Sequence, residues 1–173
     1  HGGGTLNLIV DFVRDNLGGD WSGFTGRVAV AASARGNSDL RIDSGAGRFV
    51  SDSWSNNIVS FTNNGVNSST VFMYNMQPIG NNVHIGALEA SIPGIVTIVS
   101  ANTTVNAGGG NSAPFVLTVG ELNTDTSFSG SFTAGAGSVG IIKVGTGNWT
   151  LNGPTVDYTG ITVISNGVLQ FGS

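Results

Sequence analysis

The sequence has no cysteine and very few charges. Zero Cys excludes a disulfide framework and any thiolate-ligated metal site. A chain of 173 residues is long enough to bury a sizeable core without such staples, and it fits a single domain, residues 1–173. Charged residues make up 9% and the net charge is −4. Such a chain offers no clustered basic face for a phosphate backbone, so nucleic acid is not an expected partner. Apolar runs near the ~20 residues of a membrane-spanning helix are missing too. The longest candidate, Leu6 to Val13, is interrupted by Asn7 and Asp11, so no membrane span is expected in this chain. No signal peptide is visible, and the start at His1 without Met reads as a processed form or an excised piece, which leaves export as an inference.

What remains is a β vocabulary. The 28 Gly, with abundant Asn, Ser, Thr and Val and few helix formers, predict an all-β chain rich in turns. Strand-like stretches run from Leu6 to Val13, Leu40 to Ile42, Ile58 to Phe61, Val71 to Tyr74, Val83 to Ile85, Ile95 to Val99 and Phe115 to Val119. Asn63-Asn-Gly65, Gly80-Asn-Asn82 and Gly108-Gly-Gly-Asn111 punctuate them, as turn residues do. Asn56, Asn57, Asn63, Asn64, Asn67, Asn81 and Asn82 read as turn formers that tolerate the left-handed conformation rather than as calcium or sugar ligands. Five arginines, Arg14, Arg27, Arg35, Arg41 and Arg48, are interleaved with Asp11, Asp15, Asp20, Asp39, Asp43 and Asp52, and Lys143 is the only later base. This balance reads as a solvated rim of ion pairs.

The chain also repeats itself. An aromatic residue, Thr or Ser, then Gly occurs as Phe24-Thr-Gly26, Phe128-Ser-Gly130 and Tyr158-Thr-Gly160, each after a polar turn with an aspartate (Asp20, Asp125, Asp157). The expected device is an aromatic packed inside, a Gly that permits a bend or close backbone approach, and a strand leaving it. The last thirty residues are the most regular. Lys143-Val-Gly145-Thr-Gly147-Asn-Trp149-Thr-Leu151-Asn-Gly153 is followed by Tyr158-Thr-Gly160 and then Gly167-Val-Leu169. Short alternating strands joined by tight turns are the texture of a β-solenoid.

This segment, 143–169, resembles the autotransporter-associated β-strand repeat of secreted bacterial passenger regions. The pattern runs Lys-x-Gly-x-Gly-x-aromatic/Leu-x-Leu-x-Gly, Tyr-x-Gly, Gly-x-Leu. The resemblance implies a parallel β-helix exported from a bacterial cell, a stalk or carrier with no catalytic residues to transfer. At ~20–45 residues per solenoid repeat the chain would hold roughly seven rungs if they are short. The alternative is a β-sandwich, because spacing alone does not separate parallel stacking from Greek-key pairing.

Catalytic signatures do not assemble. His1-Gly-Gly-Gly4 looks like an oxyanion loop, but no Gly-x-Ser-x-Gly elbow accompanies it. Asp15-Asn-Leu-Gly-Gly-Asp20 lacks the spacing of an EF-hand or a calcium nonapeptide. Asp39 and Asp43 form a carboxylate pair of unfixed separation, as glycan cleavage would need it fixed. The α-amino group and ring of His1 with His84 would make a three-nitrogen copper site like that of lytic polysaccharide monooxygenases, although nothing around His84 supports it. Otherwise no cofactor is expected, and His84 reads as a turn-proximal, partly buried strand residue. Trp149 takes a core position, while Trp54, between Ser53 and Ser55, is the best candidate for an exposed, sugar-stacking aromatic.

Two classes of function follow. One is a non-enzymatic, extracellular structural or adhesive module that self-associates head to tail through open β-helix ends into a filament. The other is a carbohydrate-active protein or a carbohydrate-binding appendage that meets surface glycans. A lyase would need Arg or Lys clustered with acids on one face, possible only in the first third of the chain.

Overall fold

The computed structural model describes residues 3–11, 15–33, 38–42, 49–62, 71–74, 82–92, 96–99, 115–133 and 138–172. Strands make up all the regular structure among these residues. In chain order they are β1 (Thr5–Val10), β2 (Asp15–Leu17), β3 (Arg27–Ala32), β4 (Ser38–Ile42), β5 (Trp54–Phe61), β6 (Val71–Tyr74), β7 (Asn82–Ala90) and β8 (Val96–Val99). They continue as β9 (Phe115–Val119), β10 (Thr126–Phe128), β11 (Ser131–Thr133), β12 (Val139–Lys143), β13 (Asn148–Leu151), β14 (Val156–Asp157), β15 (Thr162–Ile164) and β16 (Val168–Phe171).

These strands form two sheets. The larger, of ten strands, follows β1-β3-β5-β7-β10-β13-β16, with β9, β12 and β15 beside that path; the smaller runs β2-β4-β6-β8-β11-β14. Every described pairing is parallel. Parallel neighbours need a crossover, and here a strand of the other sheet supplies it. Each pass of the chain therefore lays a strand in the larger sheet, visits the smaller one, and returns. A Greek-key sandwich pairs its strands antiparallel, so the described pairings do not follow that alternative.

The register lines side chains into columns. Leu8 pairs with Val30, Val30 with Phe61, Phe61 with Ala90, Ala90 with Phe128, Phe128 with Leu151 and Leu151 with Phe171. A pass thus takes as few as 20 residues (151 to 171) and as many as 38 (90 to 128). From Val30 to Leu151 the column is buried, whereas Phe171 is 56% exposed. The small Ala90 between two phenylalanines lets the Phe61 and Phe128 rings meet edge-on at 6.5 Å. Burying each such ring contributes about 1.5–3 kcal/mol. A second column runs Ile85, Val119, Lys143, Ile164.

The passes change shape at β7. Its first residues pair with β9 and its last with β10, so one long strand faces two short ones separated by the corner 120–125. Gly86 sits where the split begins, its carbonyl accepting from Leu122 N at 3.0 Å. The same corner recurs between β12 and β13 and between β15 and β16. Val119 aligns with Lys143 and Ile164, and Thr126 with Trp149 and Leu169. The corner therefore shortens by one residue per pass, from seven steps (119 to 126) to six (143 to 149) to five (164 to 169).

Several expected strands differ in extent. Val71 to Tyr74 and Phe115 to Val119 have the expected bounds, but Ile58 to Phe61 extends back to Trp54, and Val83 to Ile85 runs on to Ala90. The stretch from Leu6 ends at Val10, with Phe12 and Val13 outside the described residues. The turns at 63–65 and 108–111 also lie outside them.

Candidate functional site

The matched pattern of Gly, Trp and Leu around Lys143 builds one corner and its flanking strands. Lys143 closes β12 at a position that Val119 fills one pass earlier and Ile164 one pass later. An ammonium there enters an aliphatic column, and the side chain is 1% exposed. Its Nζ donates to Val144 O at 2.5 Å, Gly145 O at 3.0 Å and Asn166 O at 3.5 Å. Three donors meet three corner carbonyls, two on its own pass and one on the next. Burial draws Lys143 below the ordinary lysine range, while the charge of Asp125 opposes that shift.

Polar side chains bind the stacked corners to one another. Asn123, at φ 59°, accepts from Thr146 N at 2.9 Å, and Asp125 Oδ1 accepts from Asn148 N at 2.7 Å. Gly145 follows at φ +68°, and a Cβ there would collide with the Gly120 carbonyl, so both the backbone conformation and the stacking demand glycine. Gly147, Gly153, Gly160 and Gly167 each likewise lie against backbone of the preceding pass. Trp149 and Leu151 are buried, and Trp149 meets Phe132 edge-on at 6.2 Å. Leu169 packs half-buried at the end of its column.

The three aromatic-Gly copies are placed as follows. Phe24 packs against the core, and Gly26 lies against Gly4 just before β3. Phe128 is buried in β10, with Gly130 leading to β11. Tyr158 packs on Phe132 at 5.9 Å, donates or accepts through its hydroxyl at Thr162 Oγ1 (2.7 Å), and precedes Gly160 and β15. The first and third copies thus lead into the larger sheet and the second into the smaller.

A second polar group lies where β7 faces β9. His84 Nδ1 is 2.6 Å from Glu121 Oε1, Asn82 Nδ2 is 3.1 Å from His84 Nε2, and Thr118 Oγ1 donates to Asn82 Oδ1 at 3.1 Å. An amide N–H aimed at Nε2 makes that nitrogen the acceptor, so Nδ1 carries the proton and donates to Glu121. Both ring nitrogens are thereby engaged. His1, the other half of the copper expectation, lies outside the described residues. Among the described residues no group of three or more His, Cys, Asp or Glu is placed to hold a metal.

Trp54 corrects an expectation. It is fully buried against Phe49, ring centroids 5.0 Å apart, and its serine neighbour Ser53 faces inward as well. Ser53 Oγ accepts from Trp21 N at 3.1 Å and donates to Gly19 O at 3.4 Å. Trp54 and Trp149 are therefore withdrawn from any sugar-stacking row. Asn57 also differs from the turn former expected. It is buried in β5 beside a register shift, and its Nδ2 donates to Phe24 O at 2.8 Å and Gly26 O at 3.0 Å. Of the expected ion-pair rim, Arg27 pairs with Glu89 rather than with a nearby aspartate; the side chains of Arg14, Arg35, Arg41 and Arg48 lie outside the described residues. The bracketing role of Asn57 carries no sequence signal, because its two acceptors are backbone carbonyls some thirty residues away.

Comparison with known families gives one match. Residues 141–171 match the passenger-associated-transport-repeat family model. The resemblance read from Lys143 to Leu169 thus stands, with two further residues at each side. No curated protein and no solved structure matches the chain.

Proposed function

We propose that this chain is an extracellular, passenger-type structural module of a bacterial surface or secreted protein, built as a single parallel β-helix. One observation carries the reading. The register that joins the matched repeat, β12 to β16, continues pass by pass back to β1, so the parallel stacking extends over strands outside the matched residues. A role without catalysis is supported by where the chemical side chains go. Lys143 caps carbonyls, Trp54 and Trp149 fill the interior, and His84 is held on both nitrogens.

The finer reading is self-association. On β15 and β16, Ile164 and Phe171 end interior columns yet are 54% and 56% exposed, and the outer edge of a parallel strand is open to another strand. The β1 edge of a second copy carries Leu8, which lies in the same column as Phe171. A head-to-tail contact of this type does not close and builds a filament. Negative-stain electron microscopy with light scattering over a concentration series tests it. Filaments that lengthen with concentration are the expected result. A monomer at every concentration would overturn the self-association, and binding of that monomer on a glycan array would favour the glycan-meeting class instead.

A further inference from the structure

The chain contains three Asn-Gly steps, at 64, 152 and 166, and two of them are described. At the last corner Gly167 has φ +71°. A Cβ there would sit 2.5 Å from the Gly145 and Gly147 carbonyls and 2.9 Å from Lys143 Nζ. Glycine is therefore imposed at 167 by the stacking, which leaves the peptide nitrogen after Asn166 unshielded by a side chain. Asn166 is exposed, and its own Oδ1 accepts from Gly167 N at 2.8 Å. That bond folds the side-chain amide back over the following peptide and holds Cγ beside the nitrogen that would attack it.

The other step is held differently. Asn152 Nδ2 donates to Ser127 Oγ at 2.7 Å on the preceding pass, and its Oδ1 lies against Gly172 on the following one. Its amide is thus held between the preceding and the following pass.

We propose that Asn166 is a site of spontaneous modification, converting to aspartate and isoaspartate through a cyclic imide well ahead of Asn152. Base removes the Gly167 amide proton, the nitrogen bonds to Asn166 Cγ, and the Cγ–Nδ2 bond breaks with release of ammonia. Water then opens the five-membered ring at one of its two carbonyls, so the balance is asparagine plus water to aspartate or isoaspartate plus ammonia, with no change of oxidation state. The products differ in consequence. Aspartate places a carboxylate on the turn whose backbone carbonyl already accepts from Lys143, a favourable neighbour for a buried ammonium. Isoaspartate adds a backbone methylene to a corner with five steps from Ile164 to Leu169, and so pushes Gly167 out of its stack. The site is thus a slow, uncatalysed change of charge at an exposed corner of the stack.

The experiment is incubation of the full chain at mildly alkaline pH, with peptide mapping by mass spectrometry over time. Conversion at Asn166 several-fold faster than at Asn152 is expected. Equal rates, or Asn152 leading, would overturn the proposal. Ser127→Ala, which frees the Asn152 amide, is the internal check, and it should bring Asn152 toward the rate of Asn166. An unchanged gap in that variant would show that the side-chain bonding does not set the rates, and would overturn the proposal as well.

Discussion

Lys143 puts a charge where its column otherwise holds Val119 and Ile164, and three carbonyls depend on it. Lys143→Met keeps the packing but strands those acceptors, and should lower stability by about 1–3 kcal/mol in urea denaturation. The same residue sets a pH dependence. Burial lowers its folded pKa below the ordinary 10.5, so the unfolded chain holds the proton more tightly. Below the folded value both states are charged and the cost is fully present; as pH rises from there toward 10.5 the cost is relieved and stability rises. The Met variant should lack that rise when urea midpoints are compared across the window. Asn57 makes the opposite point about charge. Asn57→Ala leaves two carbonyls unpaired at about 1–3 kcal/mol, and Asn57→Asp, which aims an anion at them, should lower the thermal midpoint further. A gentler effect of Asp than of Ala would discount the bracket to Phe24 and Gly26. The motif made Lys143 legible as a repeat position, but not as a carbonyl cap, since its partners are backbone. The burial of Trp54 is not legible in the sequence because polar neighbours normally mark exposure, whereas Ser53 turns its hydroxyl inside.

At the scale of strands and corners, short bounded segments were the legible ones. Val71–Tyr74 and Phe115–Val119 are apolar runs cut at both ends, and period and punctuation agree. The full length of β7 is not legible, because Gly86 looks like a break. The strand in fact continues through it, as the missing side chain leaves room for the Ser55 and Asn57 carbonyls of β5. The aromatic-Gly device was legible as a local shape, but a local shape does not say which sheet the next strand joins. Close stacking makes a sharper prediction. Gly153 lies against the Gly130 carbonyl, with no room for a methyl group. Gly153→Ala should therefore speed amide hydrogen exchange across β11, β13, β14 and β16 and leave β1 and β3 at the wild-type rate, because each pass touches only its neighbours. A uniform change along the chain would instead mean one cooperative unit.

For the whole molecule, the all-β class could be read from composition and turn residues, and the parallel pairing came with the resemblance at the C-terminal end. The earlier passes hid because their spacing wanders between 22 and 38 residues, too irregular for a periodicity to show. Corners that lose a residue at each pass blur it further. The parallel register has a mechanical consequence. Strands lie across the direction in which passes are stacked, so tension applied along that direction loads one ladder at a time, as in a zipper, and does not shear all of them together. Pulled by its ends in an optical trap, the chain should lengthen in discrete steps of about 70–130 Å, one pass of 20 to 38 residues drawn out to full extension. A single all-or-none rip would show that the passes share load. The step sizes would act as a ruler, reporting from outside which pass has just let go.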